Sequence, residues 1–283
     1  MEGLNELRAR LSAENYIADD SLIVTLAIAL KLGRPLLIEG AAGVGKTEVA
    51  KVAAKALGRE LVRLQCYEGL DETKALYEWN YQKQLLAIQM GAEEMHDLFG
   101  EEYLLERPLL KSIRSEKPTV LLIDEIDKSD AEFEAFLLEL LSEMQVTIPE
   151  YGTVHAKTVP FIVLTSNHTR PLSEALRRRC AYLYIDYPDP EKEVRILNAK
   201  LPGLSEALAK QVANAVAYLR KSERVLKKPS IAESIDWASA LMALGADELD
   251  DETCAQTIGF ALKNNNDIEE ILSDDGFIRN LFA

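Results

Sequence analysis

The segment Leu36–Val49, LLIEGAAGVGKTEV, constrains this chain more than any other. An apolar run stops at Glu39, passes through Gly40, Gly43 and Gly45, and turns into Lys46 and Thr47 ahead of a helix-forming stretch. Gly40-Ala41-Ala42-Gly43-Val44-Gly45-Lys46-Thr47 fits the pattern G-x-x-x-x-G-K-[ST] in its required place, between a strand and a helix. The chemistry explains the residue types. Glycines let backbone N–H groups converge on an anion, and the following helix points the positive end of its dipole at the same spot. Lys46 adds a full charge for the β- and γ-phosphates, and the Thr47 hydroxyl is a Mg2+ ligand. Residues 40 to 48, ending at Glu48, are expected to bind a nucleotide. A strand–turn–helix connection with incidental glycines is the plain alternative.

A second pattern narrows the choice. TVLLIDEID ends an apolar strand at Asp124 and Glu125. Asp124 is the candidate for the magnesium side, and Glu125 the candidate general base on the attacking water. In isolation such a pair reads as a solvated acidic turn. FIVLTSNHTRP supplies a third piece, a buried strand ending in Thr165-Ser166-Asn167, where the Asn167 amide could hold the water between Glu125 and the γ-phosphate. On its own Asn167 reads as a turn former. His168 reads as a loop residue, because phosphoryl transfer needs positioning and charge rather than a further base.

Five short runs at 35–40, 60–68, 119–125, 160–167 and 181–188 read as strands. Several are nearly continuous in apolar residues, which suits strands buried on both faces of a parallel sheet. Helical stretches such as 47–57 and 131–144 alternate with them, the pattern of an open α/β fold. After Pro188 and Pro190 the periodicity is helical, with four amphipathic helices expected. The division is therefore 1–188 for an α/β domain and 189–283 for a helical one. The stretches ELDDE and LSDDG read as acidic surface patches.

The net charge of −15 argues against a nucleic-acid partner. Cys66, Cys180 and Cys254 are far apart and form no CxxC pair, which argues against a disulfide framework or a zinc site and fits a reducing compartment. The start of the chain lacks the layout of a signal peptide, and apolar runs fall short of the ~20 residues of a membrane helix. A cytoplasmic protein with no membrane partner is the expectation.

With these residues in place the chain resembles the AAA+ ATPases, and within them the MoxR family, over nearly its whole length. Walker A falls on 40–47, Walker B on 120–125, the sensor-1 position on Asn167, and the arginine-finger segment on LSEALRRRC, 172–180. The resemblance implies a P-loop αβα sandwich with a five-stranded parallel sheet, followed by an all-α lid. It implies ATP and Mg2+, a ring of identical subunits (a hexamer), and a finger among Arg177, Arg178 and Arg179 that reaches the neighbouring subunit's γ-phosphate. A solvated basic helix end is the other reading of those arginines.

Roughly fifty residues separate the second and third strands, more than one crossover helix needs. ALYEWNYQKQLLAI, 75–88, reads as a hairpin or short extended pair and resembles the insertion in helix 2 that marks this clade, near 70–92. QVTIPEYGTVHAKTVPFIV, 145–163, reads as two extended arms around EYG, similar to the hairpin before sensor 1. A surface loop with incidental aromatics is the alternative for both. Relatives of this family act as chaperones maturing metal-containing enzymes, often with a von Willebrand factor A-domain partner, and the resemblance implies that role here. One departure stands out. The lid segment LKKPSIAESIDWAS has no arginine at the sensor-2 position, which leaves Lys227 or Lys228 as substitutes. Tyr16 and Ile17 are candidates for an adenine pocket, with a plain helix lead-in as the other reading. A nucleotide-gated assembly module with little turnover, or a nucleic-acid motor, are the rival functions.

Overall fold

The computed structural model describes residues 2–90 and 98–273. Residues 91–92 of the expected insertion, residues 274–283 of the helical domain, and with them the end of the LSDDG patch, lie outside the described residues.

Helices α1 (Glu2–Ala13) and α2 (Asp20–Leu32) precede strand β1 (Leu36–Glu39). Gly33 ends α2 in the left-handed region, φ 62°, where glycine meets no Cβ penalty. The chain continues through α3 (Lys46–Ala56), β2 (Glu60–Gln65), α4 (Glu72–Ala75), β3 (Tyr77–Trp79), α5 (Tyr81–Gln89), β4 (Leu104–Glu106) and α6 (Pro108–Arg114). Then come β5 (Thr119–Asp124), α7 (Ala131–Glu143), β6 (Gln145–Ile148), β7 (Gly152–His155), β8 (Phe161–Ser166), α8 (Glu174–Arg179) and β9 (Ala181–Tyr184). Five helices follow: α9 (Pro190–Lys200), α10 (Glu206–Lys221), α11 (Ile231–Leu244), α12 (Asp251–Ala261) and α13 (Asn265–Leu272).

The main sheet has five parallel strands in the order β2-β5-β8-β1-β9, as the apolar runs predict. Every residue of β1, β5 and β8 is buried, so their continuous apolar sequence is the sequence of strands covered on both faces. Burying each such Leu, Ile or Val contributes about 1.5–3 kcal/mol. The order reverses at β1, and ligands of open α/β sheets bind beyond the carboxyl ends of the strands at such a point. The strands β2 and β9 end at Gln65 and Tyr184, short of the expected 68 and 188. Beyond Tyr184 the chain runs to Pro188 and to Pro190, which opens α9 behind the Asp189 cap.

Two small antiparallel pairs stand apart from this sheet. β6 and β7 form a hairpin through 149–151, with Val146 opposite Val154. β3 pairs with β4, Tyr77 opposite Glu106, so of the hairpin or short extended pair expected at 75–88 one strand is present, and its partner lies outside that segment. Residues 81–89 are helical instead. Asn80 caps that helix by accepting from the Lys83 N–H, and the Tyr81-Leu85-Ile88 spacing is a helical stripe rather than a strand alternation.

Contacts divide the chain into a sheet unit (1–10, 19–40, 46–184) and a helical unit (11–18, 41–45, 185–283). The helical core gathers Val212, Val216, Leu241 and Ile258 around Trp237, whose indole N–H donates to Thr257 Oγ1 at 2.8 Å. The four expected helices are present, and α13 is a fifth. It is two turns long with few apolar residues, too short for its periodicity to stand out. Arg220 binds the fully buried Glu193 through both guanidinium nitrogens, at 2.6 and 2.9 Å. Burial pushes the Glu193 carboxyl up against that pull.

Candidate functional site

Three elements of the sheet unit bring the sequence-predicted residues to the strand tips. Lys46 and Thr47 open α3, Asp124 ends β5 with Glu125 next to it, and Asn167 follows β8. The Lys46 ammonium is buried and donates to the Gly40 carbonyl at 2.9 Å. Burial pulls its pKa down, opposed by Asp127, Asp124 and Glu125 in that order. Thr47 Oγ1 donates to Asp124 Oδ1 at 2.9 Å, although 77 residues separate them. Thr165 Oγ1 donates to the same oxygen at 2.6 Å and accepts the Glu125 N–H at 2.8 Å. One threonine thereby fixes both acids.

Glu125 and His168 adopt left-handed backbone, φ 56° and 60°. For non-glycine residues this costs about 1–2 kcal/mol each, and such strain concentrates at functional sites. Here it turns the chain sharply directly after two strand tips, beside Asp124 and beside Asn167.

The loop itself carries Gly43 at φ 75° and Gly45 at φ 94°, the conformation that requires glycine. Residues 41–45, with Ala41, Ala42 and Val44, group with the helical unit. A Cβ on Gly43 would stand 2.1 Å from Ser230 Oγ, at the cap of α11. Ser230 occupies the place where an arginine was sought, in a capping box with Glu233. Glu48 lies in the first turn of α3 and faces Lys51 at 3.8 Å. Tyr16 and Ile17 are half-buried in the segment 11–18 of the helical unit.

Magnesium suits the oxygens present. Thr47 Oγ1 and the buried Asp124 Oδ1 already meet, and Mg2+ in phosphate sites takes one or two protein oxygens, completing its shell with phosphates and water. Among the described residues no group of three or more His, Cys, Asp or Glu is placed to hold a metal ion.

Several residues of the site escaped the sequence reading. Arg63 grips Asp124 Oδ2 through Nε at 3.1 Å and Nη2 at 2.6 Å. Gln65 donates to Glu125 Oε2 at 3.1 Å, and Lys128 pairs with the same oxygen. Arg63 and Gln65 are two apart on the edge strand β2, so they share one face, and that alternation was the available signal. Glu39, only 1% exposed, has His168 Nε2 at 3.2 Å and Arg177 Nη2 at 3.6 Å. Burial and the bond to Glu39 raise the Tyr182 phenol, and Arg177 lies over that ring.

The three arginines of α8 are not gathered at the acids of their own chain. Arg177 leans on Glu39, Arg178 pairs with Glu174 one turn away, and Arg179 reaches Ser142 Oγ at 2.6 Å and the Ala175 carbonyl at 3.1 Å.

Comparison with known proteins agrees with this geometry. Residues 35–180, just over half of the chain, match the family model described as AAA domain (dynein-related subfamily). The chaperone MoxR1 of Mycobacterium tuberculosis is 27% identical over 214 residues, covering 73% of this chain and 50% of that protein. This chain thus spans half the length of that relative. An uncharacterized protein of Staphylococcus haemolyticus is 24% identical over 273 residues, 88% of this chain and 98% of its own. A mutant of Thermotoga maritima RuvB shares the fold with a TM-score of 0.55 at 18% identity, covering 93% of this chain and 73% of that one. The loop before α3, the acids at the tip of β5 and the family match together place this chain in the AAA family, dynein-related subfamily.

Proposed function

We propose that this chain assembles with copies of itself into a ring, a hexamer, and hydrolyses ATP at the subunit interfaces to remodel a client protein. The observation that carries the reading is the convergence of Lys46, Thr47, Asp124 and Glu125 beyond β1 and β5. Lys46 holds the β- and γ-phosphates. Thr47 and Asp124 hold the Mg2+ ion, which supplies charge neutralisation along the phosphate chain. Glu125 takes the proton of the attacking water, Asn167 orients that water, and the bond from the γ-phosphorus to the β–γ bridging oxygen breaks to release ADP. Tyr16 and Ile17 line the adenine. One of Arg177, Arg178 and Arg179 supplies positive charge to the γ-phosphate of the adjacent copy.

The exposed apolar surface of 81–90 supports a client contact there. Helix α5, with Met90 directly after it, leaves Tyr81, Leu85, Leu86, Ile88 and Met90 exposed, an apolar surface of the kind that marks protein contacts. A relative named as a chaperone supports the remodelling role. Maturation of a metal-containing enzyme, with a von Willebrand factor A-domain protein as partner, is the form of that role proposed here. The three cysteines are free and buried, in keeping with a reducing, cytoplasmic setting, and among the described residues no helix is long and apolar enough to cross a membrane.

Steady-state ATPase of wild type against Glu125→Gln tests the hydrolytic reading. A large drop in rate with Mg-ATP binding retained supports it, and equal rates remove it. A second reading, an assembly module gated by nucleotide with little turnover, draws on one observation: the Glu125 carboxylate is engaged by Gln65 and Lys128. Slow turnover that rises when Lys128 is replaced by alanine would favour it. The acidic balance of the chain argues against a nucleic-acid motor, and a filter-binding titration across salt checks that.

A further inference from the structure

We propose that Asp127 is a positioning residue for hydrolysis, a buried carboxylate that ties the turn after β5 to the turn after β8 and so sets Asn167 against Glu125. An aspartate three residues past a strand tip is ordinarily solvated. Asp127 is only 3% exposed. Its Oδ2 accepts the Thr169 N–H at 2.9 Å and the Thr169 hydroxyl at 2.6 Å, and the same hydroxyl reaches the Asp127 carbonyl at 3.2 Å. The Asn167 backbone N–H also faces this carboxylate. Donors on both sides of His168 therefore converge on one acid, and the left-handed turn at His168 lies inside the bracket they make.

These bonds hold the Asp127 carboxyl below the usual carboxylate range in spite of its burial. An ionised acceptor strengthens each hydrogen bond it receives. Its other oxygen, Oδ1, is buried with no hydrogen-bond partner of good geometry among the described residues. Among the three acids Asp127 acts most strongly on Lys46.

A second clamp closes the same two turns from outside. Arg170 donates to the Ser129 carbonyl at 2.7 Å and pairs with Glu134, which also accepts the Ser173 N–H at 2.9 Å. Arg170 and Glu134 join backbone to backbone. Asp127 differs in gripping the residues on either side of His168, next to the amide that the reaction uses. Small displacements at such a position are costly to the rate, about 10²-fold for roughly 1 Å.

The inference rests on Asn167 orienting the attacking water. The experiment is a double-mutant cycle on phosphate release, with Mg-ATP affinity measured by calorimetry on the same full-length preparations. Asp127→Asn is expected to lower kcat by about 10- to 100-fold while affinity changes less than about 3-fold. In an Asn167→Ala background it should lower the rate by less than about 3-fold further, because residues that act as one unit are not additive. Should Asp127→Asn fail to fold, Thr169→Val with Thr169→Ser as its conservative rescue reads the same coupling. Full additivity, or an unchanged kcat, would overturn the role of Asp127 while leaving Asn167 in place. An unchanged rate in Asn167→Ala alone would overturn both.

Discussion

Two sets of arginines in this chain handle charge in opposite ways. Arg170 and Arg220 each close on a glutamate that is 1% exposed or less, Glu134 and Glu193, and each adds bonds to backbone carbonyls nearby. Arg177, Arg178 and Arg179 follow one another on one short helix, the first two with side chains 43% and 76% exposed, and each leans on a different group. The first set is architecture. Removing one member strands a charge where water cannot reach it. In the second set the arginines themselves stay exposed: the Arg178–Glu174 pair is open to water on both sides and therefore weak, and Arg177 stands 3.6 Å from the buried Glu39, which His168 also faces.

That contrast can be broken most sharply at α8. Replacing Arg177 and Arg179 together by alanine is expected to slow phosphate release by about 10³-fold or more, the range for a finger supplied to a neighbour. Melting temperature should fall less than in a variant of Arg220, because His168 remains beside the buried Glu39 when Arg177 is gone. Blending those chains with Glu125→Gln chains should restore part of the rate, since each defect lies on a different side of a shared site. No recovery at any mixing ratio would assign the arginines to their own chain.

Arg220 should behave in the reverse manner. Arg220→Met leaves Glu193 buried and unpaired, and is expected to destabilise the helical unit by about 3–5 kcal/mol in urea denaturation. Replacing Arg220 and Glu193 together by apolar residues should recover much of that loss. Arg178→Ala, which removes one exposed pair within α8, should leave the denaturation midpoint unchanged. A large destabilisation from Arg178→Ala would remove the distinction between the two sets.

The smallest effect concerns the cysteines, which sort the same way by burial. Burial pushes Cys66, Cys180 and Cys254 up from the usual value of 9.0 to about 12. The folded chain should resist iodoacetamide at pH 8 and react fully once denatured. The sign for stability follows. The unfolded thiols ionise near pH 9 and the folded ones near 12, so their contribution is complete below about pH 9 and is lost as pH rises toward 12.

What the sequence disclosed depended on distance along the chain. The strands β1, β5 and β8 are read directly, because burial on both faces demands an uninterrupted apolar run. Lys46, Thr47, Asp124 and Glu125 were legible because their chemistry demands fixed local spacing beside such strands. Arg63 and Gln65 meet their acids across 61 and 60 residues, and Thr169 meets Asp127 across 42. No local pattern encodes those meetings, and a polar residue on an edge strand looks like a solvated one. The insertion was misread for another reason. Its alternation suggested extended chain, which holds for Tyr77–Trp79 alone, while the Asn80 cap and the Tyr81-Leu85-Ile88 stripe carried the helical signal. The arginines were legible only as a run. What each of them leans on is set by tertiary contacts with Glu39, Glu174 and Ser142, and no spacing records that.

The central claim is that a triphosphate with its magnesium sits in the loop before α3, against the acids at the tip of β5. Calorimetric titration of Mg-ATP into the folded wild-type chain, with Lys46→Ala beside it, tests this most directly. Saturable heat of association in wild type, lost or weakened at least about 10²-fold in Lys46→Ala, is the expected result. No heat from wild type at millimolar Mg-ATP, or equal binding by the two chains, would contradict it.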